Sequence, residues 1–195
     1  MCAGKVGEIF DVCGLAAPIV AGFKIDLREL VNSSYDWQTP ALTPTDHNEW
    51  LKNFDLMTEL STCTWPRSII PTDYASNEVE FIGCGDASQN IVCAVCYIRT
   101  LKTDGTYSCQ IVLSKTKLVP KGMTLPRAEL FAAILNVHIV EIVKRSLERF
   151  PIKKCLYILD SEIALHWLAS ETKRLKPWVR NNVIEASRFT DTEQH

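Results

Sequence analysis

No stretch of the 195-residue chain holds the run of about 18 apolar residues that a bilayer-spanning helix needs. The opening residues, MCAGKVGEIFDVCG, lack the charged start and apolar core of a secretory signal, so an intracellular chain is expected. Internal repeats and low-complexity tracts are missing too, which argues against a solenoid or a disordered linker. Charge of one sign is also lacking: 21 Lys and Arg against 23 Asp and Glu give a net charge of −2. Metal knuckles are equally scarce. The eight cysteines lie at 2, 13, 63, 84, 93, 96, 109 and 155 and make one CxxC pair, with no second pair at finger spacing. That pair, Cys93 and Cys96, falls in a strand-like run where positions three apart face opposite ways. Reduced structural thiols are the expectation, since most lie in apolar runs and free Cys is among the most buried residue types.

What remains is the composition of a soluble globular protein, 47% hydrophobic and 23% charged. The length suits one ordinary domain and a smaller flanking piece. Residues 1–77 carry 5 basic and 10 acidic side chains, a balance of −5, whereas residues 78–195 carry 16 and 13, a balance of +3. A phosphate-binding half would lean this way, as would ordinary solvated surface.

Leu15 to Val31 reads as a helix with Ile19, Phe23, Leu27, Leu30 and Val31 on its apolar stripe and Pro18 in its first turn. A turn-rich linker follows. A second amphipathic segment then carries Trp50, Leu51, Phe54, Met57 and Leu60, with Thr45 or Asp46 as its cap. The irregular stretch STCTWPRSIIPTDYASNE places a domain boundary near residue 75. Beyond it, Val79–Cys84, Ile91–Arg99 and Thr106–Leu113 read as strands, with Asp104-Gly105 as a hairpin signal. Pro126 opens a long helix to about Phe150. Cys155–Leu159 reads as a short, central, parallel strand, and Ser161 caps a helix through Ser170. Pro177 opens a last helix to about Phe189.

Three carboxylates stand at ends of these elements: Asp86 at the close of the first strand, Glu129 in the first turn of the long helix, and Asp160 between the parallel strand and its helix. Carboxylates on rigid elements suit hard divalent cations, and two such cations can activate water and stabilise the leaving oxygen in phosphodiester cleavage. Singly, each has an ordinary reading as turn, cap or solvated helix position. Their joint placement in one βββαβ frame is what points to a nuclease.

The block GDAS, then SKTKLVPKGMTLPRAELFAA, then LDSEIALHWL resembles the ribonuclease H domain of BEL/Pao-type retrotransposon polyproteins. Upstream, FDVCGLAAPIVAGFKIDLREL, the stretch around Trp50 and Pro66-Arg67 resemble the connection segment that follows the reverse transcriptase in those elements. The resemblance implies an α/β fold, a ribonuclease H-like mixed sheet of βββαβα order flanked by helices. Residues 76–195 would form it, and residues 1–75 a small helical connection segment. It implies Asp86, Glu129 and Asp160 as catalytic metal ligands for Mg²⁺ or Mn²⁺, two ions in the complete domain. It also implies hydrolysis of the RNA strand of RNA–DNA hybrids during reverse transcription. Ser161 and Arg127 would contact the nucleic-acid backbone, and Ser88 and Gln89 sugar or phosphate, the contact that reads a 2′-hydroxyl. The expected partners are the hybrid and the upstream reverse transcriptase domain of the same polyprotein, with no membrane. The expected setting is a cytoplasmic retroelement particle, the nucleus being the alternative.

The chain departs from the pattern in one place that matters. The family's domain continues to a fourth acidic residue in a segment like NPAD, whereas this sequence stops at Thr192-Glu193-Gln194-His195 and Asp191 comes too early to replace it. A truncated domain that holds its second ion poorly is therefore expected, and a catalytically inactive nucleic-acid-binding or polymerase-supporting fragment is the alternative function. The label "Pao retrotransposon peptidase" attached to such regions suggests an aspartic-type peptidase. Asp86-Ala87-Ser88 and Asp160-Ser161-Glu162 do not supply the Asp-Thr/Ser-Gly turn that activity needs.

Overall fold

The computed structural model describes residues 9–32 and 44–190, with the backbone alone at 44–47, 49 and 76–78. The chain divides into two compact units, Met1–Pro66 and Arg67–His195.

In the first unit, α1 (Ala17–Asn32) and α2 (Pro44–Leu60) pack through three aromatic rings. Phe23 lies 5.4 Å from Trp50 and 4.9 Å from Phe54, centroid to centroid, and both Phe23 and Trp50 are buried. The anticipated stripe thus narrows to its middle: Val31 and Leu51 are exposed. Asp26 accepts a hydrogen bond from Asn53 Nδ2 at 2.9 Å. The entry to α1 is closed by Asp11, whose two carboxylate oxygens accept the backbone N–H groups of Leu15 and Ala16, each at 2.8 Å. Those donors would otherwise be orphaned at a helix start. Gly14 takes the left-handed backbone conformation between them, φ 73°. The side chains of Thr45 and Asp46, expected as caps of α2, lie outside the described residues.

The second unit is built on a four-stranded sheet of order β3-β2-β1-β4. Its strands are β1 (Tyr74–Ala87), β2 (Ile91–Lys102), β3 (Tyr107–Leu118) and β4 (Ile152–Leu159). The β1–β2 and β2–β3 pairs are antiparallel, and β4 joins β1 in parallel, as its arrival after a helical crossover requires. The antiparallel strands run longer than the sequence indicates, because their outer residues continue the alternation through polar positions. From Ile91 to Thr100, β2 alternates between half-buried and buried residues. Cys93 and Cys96 accordingly face opposite sides.

β4 stands at the edge of the described sheet rather than in its centre, and Ile158 is exposed on it. An apolar pentapeptide alone does not tell a two-sided strand from an edge strand with one buried face. None of the seven described cysteines is in a disulfide, and of them only Cys96 and Cys155 are buried; Cys13, Cys63 and Cys109 are exposed. The expectation of buried thiols holds for Cys96 and Cys155, and fails for Cys109, which alternation turns outward on β3, and for Cys13 and Cys63, which lie outside the strands.

The long helix α3 (Leu125–Ser146) lies across this sheet with eleven buried residues, apolar on nearly every side. One flank packs on Val79, Phe81, Val92, Ala94, Cys96 and Ile98 of the sheet. The other flank, through Leu130, meets Val179 and Val183 of α5 (Pro177–Thr190), with Trp167, Leu168, Leu175 and Trp178 closing the seam. Between β4 and α5 come α4 (Glu162–Ala169) and a 3₁₀ turn, Thr172–Arg174. Trp50, Trp167 and Trp178 are thus packing residues, whereas Trp65 is exposed.

Candidate active site

The spacing between α3 and β1 is set by Gly83 and Gly85. A Cβ on Gly85 would sit 2.9 Å from the Ala132 carbonyl oxygen; on Gly83 it would sit 2.2 Å from Asn136 Oδ1 and 2.6 Å from Val140 Cγ2. Advancing along β1 from Gly83 to Gly85 therefore retreats along α3 from Val140 to Ala132, so helix and strand run antiparallel. One more helical turn brings the helix to Ala128 and Glu129 as β1 reaches Asp86. On the other side of β1, Gly85 pairs with Leu159 in the parallel register. Asp86 and Asp160 thus follow paired residues on neighbouring strands, which lie about 4.8 Å apart.

The third corner is closed by a side-chain contact. Ser161 is the N-cap of α4: its Oγ accepts the Ala164 N–H at 3.2 Å and donates to Glu129 Oε2. This bond ties α3 to the residue after Asp160 across 32 positions of sequence. Asp86 and Asp160 are exposed and Glu129 is half-buried. Asp86 Oδ1 accepts the Ala87 N–H at 2.6 Å.

Glu129 begins the second turn of α3 and not the first, because the helix starts at Leu125, with Thr124 as an N-cap that makes no side-chain bond. The helix dipole therefore favours the Glu129 carboxylate less than a first-turn placement would. Among the described residues no group of three or more His, Cys, Asp or Glu is gathered tightly enough to hold a metal ion. Glu129 and Asp86 each accept a hydrogen bond from a nearby donor, the Ser161 hydroxyl and the Ala87 N–H.

The other residues singled out in the sequence have defined surroundings. Ser88 closes the β1–β2 turn: its Oγ accepts the N–H groups of Asn90 and Ile91 at 3.2 and 3.1 Å and donates to the Ile91 carbonyl at 3.3 Å. Gln89 is exposed at the tip of that turn. Arg127 is exposed with its guanidinium carbon 5.3 Å above the Trp178 ring, a cation–π contact bridging α3 and α5. His138 pairs with Glu185 at 3.0 Å in the α3–α5 seam, and His166 is exposed on α4.

The residue that sequence reasoning passed over is Asn136. It is 1% exposed, its amide O and N have no hydrogen-bond partner among the described residues, and it fills the space left by Gly83. The Gly-x-Gly alternation in an apolar strand was its available signal, since glycine there marks a close backbone approach.

A mixed sheet of this order, backed by a long helix between its third and fourth strands, defines a ribonuclease H-like fold. The family model described as the Pao retrotransposon-like RNaseH-like domain matches residues 1–161, a span that takes in Asp86, Glu129, Asp160 and Ser161. The chain belongs to that family. No curated protein matches it.

Proposed function

We propose that this chain is a retrotransposon-derived nuclease domain that hydrolyses the RNA strand of RNA–DNA hybrids, with Asp86, Glu129 and Asp160 as its metal-binding carboxylates. The observation that carries the reading is the antiparallel crossing of α3 over β1. Together with the Gly85–Leu159 pairing, it brings three acidic residues from three separate elements to one end of the sheet. The donor set is all oxygen, it is accessible, and it sits on rigid elements, which fits Mg²⁺ or Mn²⁺. When bound, such ions would activate the attacking water and stabilise the leaving oxygen.

The chain's own contribution is positional. β1 and β4 present two carboxylates on adjacent parallel strands, and Ser161 fixes the third. Exposure of Asp86 and Asp160 leaves that end of the sheet accessible to a duplex backbone. In this reading Gln89 and Arg127 border the hybrid, and the expected partner remains a reverse transcriptase domain of the same polyprotein in a cytoplasmic particle.

The test is cleavage of an end-labelled RNA–DNA hybrid in Mg²⁺ or Mn²⁺ by the 195-residue chain and by Asp86→Asn and Asp160→Asn. Wild-type cleavage lost in both variants, with unchanged circular dichroism, is the expected result. Cleavage at the wild-type rate in either variant refutes the assignment. A second reading, a non-catalytic hybrid-binding domain, is favoured by the absence of a gathered three-residue ligand set among the described residues. It requires hybrid binding without cleavage in either metal.

A further inference from the structure

We infer that Ser161 is a positioning residue for Glu129, orienting that carboxylate for a divalent cation and not itself contacting nucleic acid; the inference rests on the metal-site reading above. A serine hydroxyl has one proton to donate and two lone pairs to accept with. Here the oxygen is fixed by the helix start, accepting the Ala164 N–H at 3.2 Å. The cap holds the hydroxyl in place and leaves its single proton for one acceptor, Glu129 Oε2. With the donor spent on Glu129, none remains for a phosphate. Glu129 Oε1 has no partner among the described residues, so one oxygen is anchored and the other is open to a ligand.

The consequence is entropic and geometric. A glutamate loses about as much rotamer freedom on ordering as any side chain, and Ser161 supplies part of that ordering before a cation arrives. The anchor also crosses elements. Glu129 belongs to α3, whereas Ser161 directly follows Asp160, so the bond holds the carboxylate of α3 against the end of β4. Hydrogen-bonded outer partners of ligating carboxylates behave this way in metal sites generally, and their loss weakens metal binding by about 10–100-fold.

Capping and positioning separate by choice of substitution. Gly is nearly as good an N-cap as Ser but has no hydroxyl, whereas Thr keeps both the cap and the donor. Mn²⁺ binding to the full chain, read from the free-ion electron paramagnetic resonance signal without nucleic acid, needs no catalytic turnover. Ser161→Gly is expected to weaken Mn²⁺ binding by about 10–100-fold, with α4 retained by circular dichroism, and Ser161→Thr to restore it.

Equal Mn²⁺ affinity in wild type and Ser161→Gly, with Asp86→Asn and Asp160→Asn both weakened, overturns the positioning role and leaves the metal site standing. No Mn²⁺ binding by the wild type, or binding unchanged by Asp86→Asn and Asp160→Asn, overturns the metal site and this inference with it.

Discussion

Gly83→Ala is the smallest perturbation that should disturb the whole second unit. The added methyl would lie 2.2 Å from Asn136 Oδ1 and 2.6 Å from Val140 Cγ2, where ordinary contact begins near 3.4 Å. Neither neighbour can step aside, since Asn136 is 1% and Val140 0% exposed, both inside the helix–sheet core. Over-packing of this kind costs about 1–3 kcal/mol, and the double overlap argues for the upper end. Replacing a strand glycine recovers roughly 0.5–1 kcal/mol of chain entropy, leaving a net loss of about 2 kcal/mol. For a unit of this size that is roughly a 6–10 °C fall in melting temperature.

The structure also specifies the rescue. Asn136→Ala removes the nearer of the two atoms that the methyl strikes and relieves a buried amide whose polar atoms have no partner among the described residues, a relief worth about 1–3 kcal/mol against the packing it forfeits. Gly83→Ala/Asn136→Ala should therefore be more stable than Gly83→Ala alone, with a coupling of about 1 kcal/mol or more between the sites. Urea unfolding followed by far-ultraviolet circular dichroism, with amide exchange of β1 to localise the effect, reads both numbers. If Gly83→Ala unfolds with the wild type, or if the two changes simply add, the close crossing of α3 over β1 is not what sets their spacing.

In the first unit, Asp11→Ala leaves the N–H groups of Leu15 and Ala16 without acceptors and should destabilise α1 by about 0.5–2 kcal/mol, seen as faster amide exchange at the start of that helix alone. Burial pushes the Cys96 thiol up to about 12, so iodoacetamide at pH 8 should label exposed Cys63 and spare Cys96 until the chain unfolds, by mass spectrometry of the peptides. The same shift sets a pH dependence. Between pH 9 and about 12 the folded state keeps the Cys96 proton that the unfolded chain releases, so stability falls as pH rises across that window. The fall should be shallower in Cys96→Ala, and an identical slope in the two proteins refutes it.

The elements of the second unit were legible because each carries its own period. Alternation marks β2, Pro126 and Pro177 mark helix starts, and Ser161 marks a cap that forms as anticipated. What the sequence left open was settled by packing at a distance. Strand alternation does not reveal that β4 has a neighbour on one side only among the described strands, nor which cysteines turn outward. The irregular stretch STCTWPRSIIPTDYASNE suggests a domain boundary near residue 75, yet Ile69, Ile70 and Tyr74 pack into the core of the second unit. Ile69 and Ile70 anchor the proline-bearing part of that stretch, and Tyr74 already opens β1. At the site, the three carboxylates could be named from their positions at element ends. Ser161 could be named as a cap, but its second bond, to a residue 32 positions away, depends on how α3 lies over the sheet.

That dependence makes the candidate site a product of the core and not of a local motif. Asp86 and Asp160 are aligned by backbone pairing, which needs only the β1–β4 register. Glu129 has no such constraint. Its height over the strand ends follows from Ala132 resting on Gly85 and Asn136 on Gly83. The Asn136 amide, without a partner among the described residues, is therefore intelligible as the cost of filling a glycine groove with a side chain of the right shape. A leucine there would satisfy the polar accounting but would meet the β1 backbone with a branched end where the planar amide now lies. Stability at this crossing and geometry at the carboxylates are consequently coupled: whatever lifts α3 from β1 should also draw Glu129 away from Ser161 and weaken the bond between them.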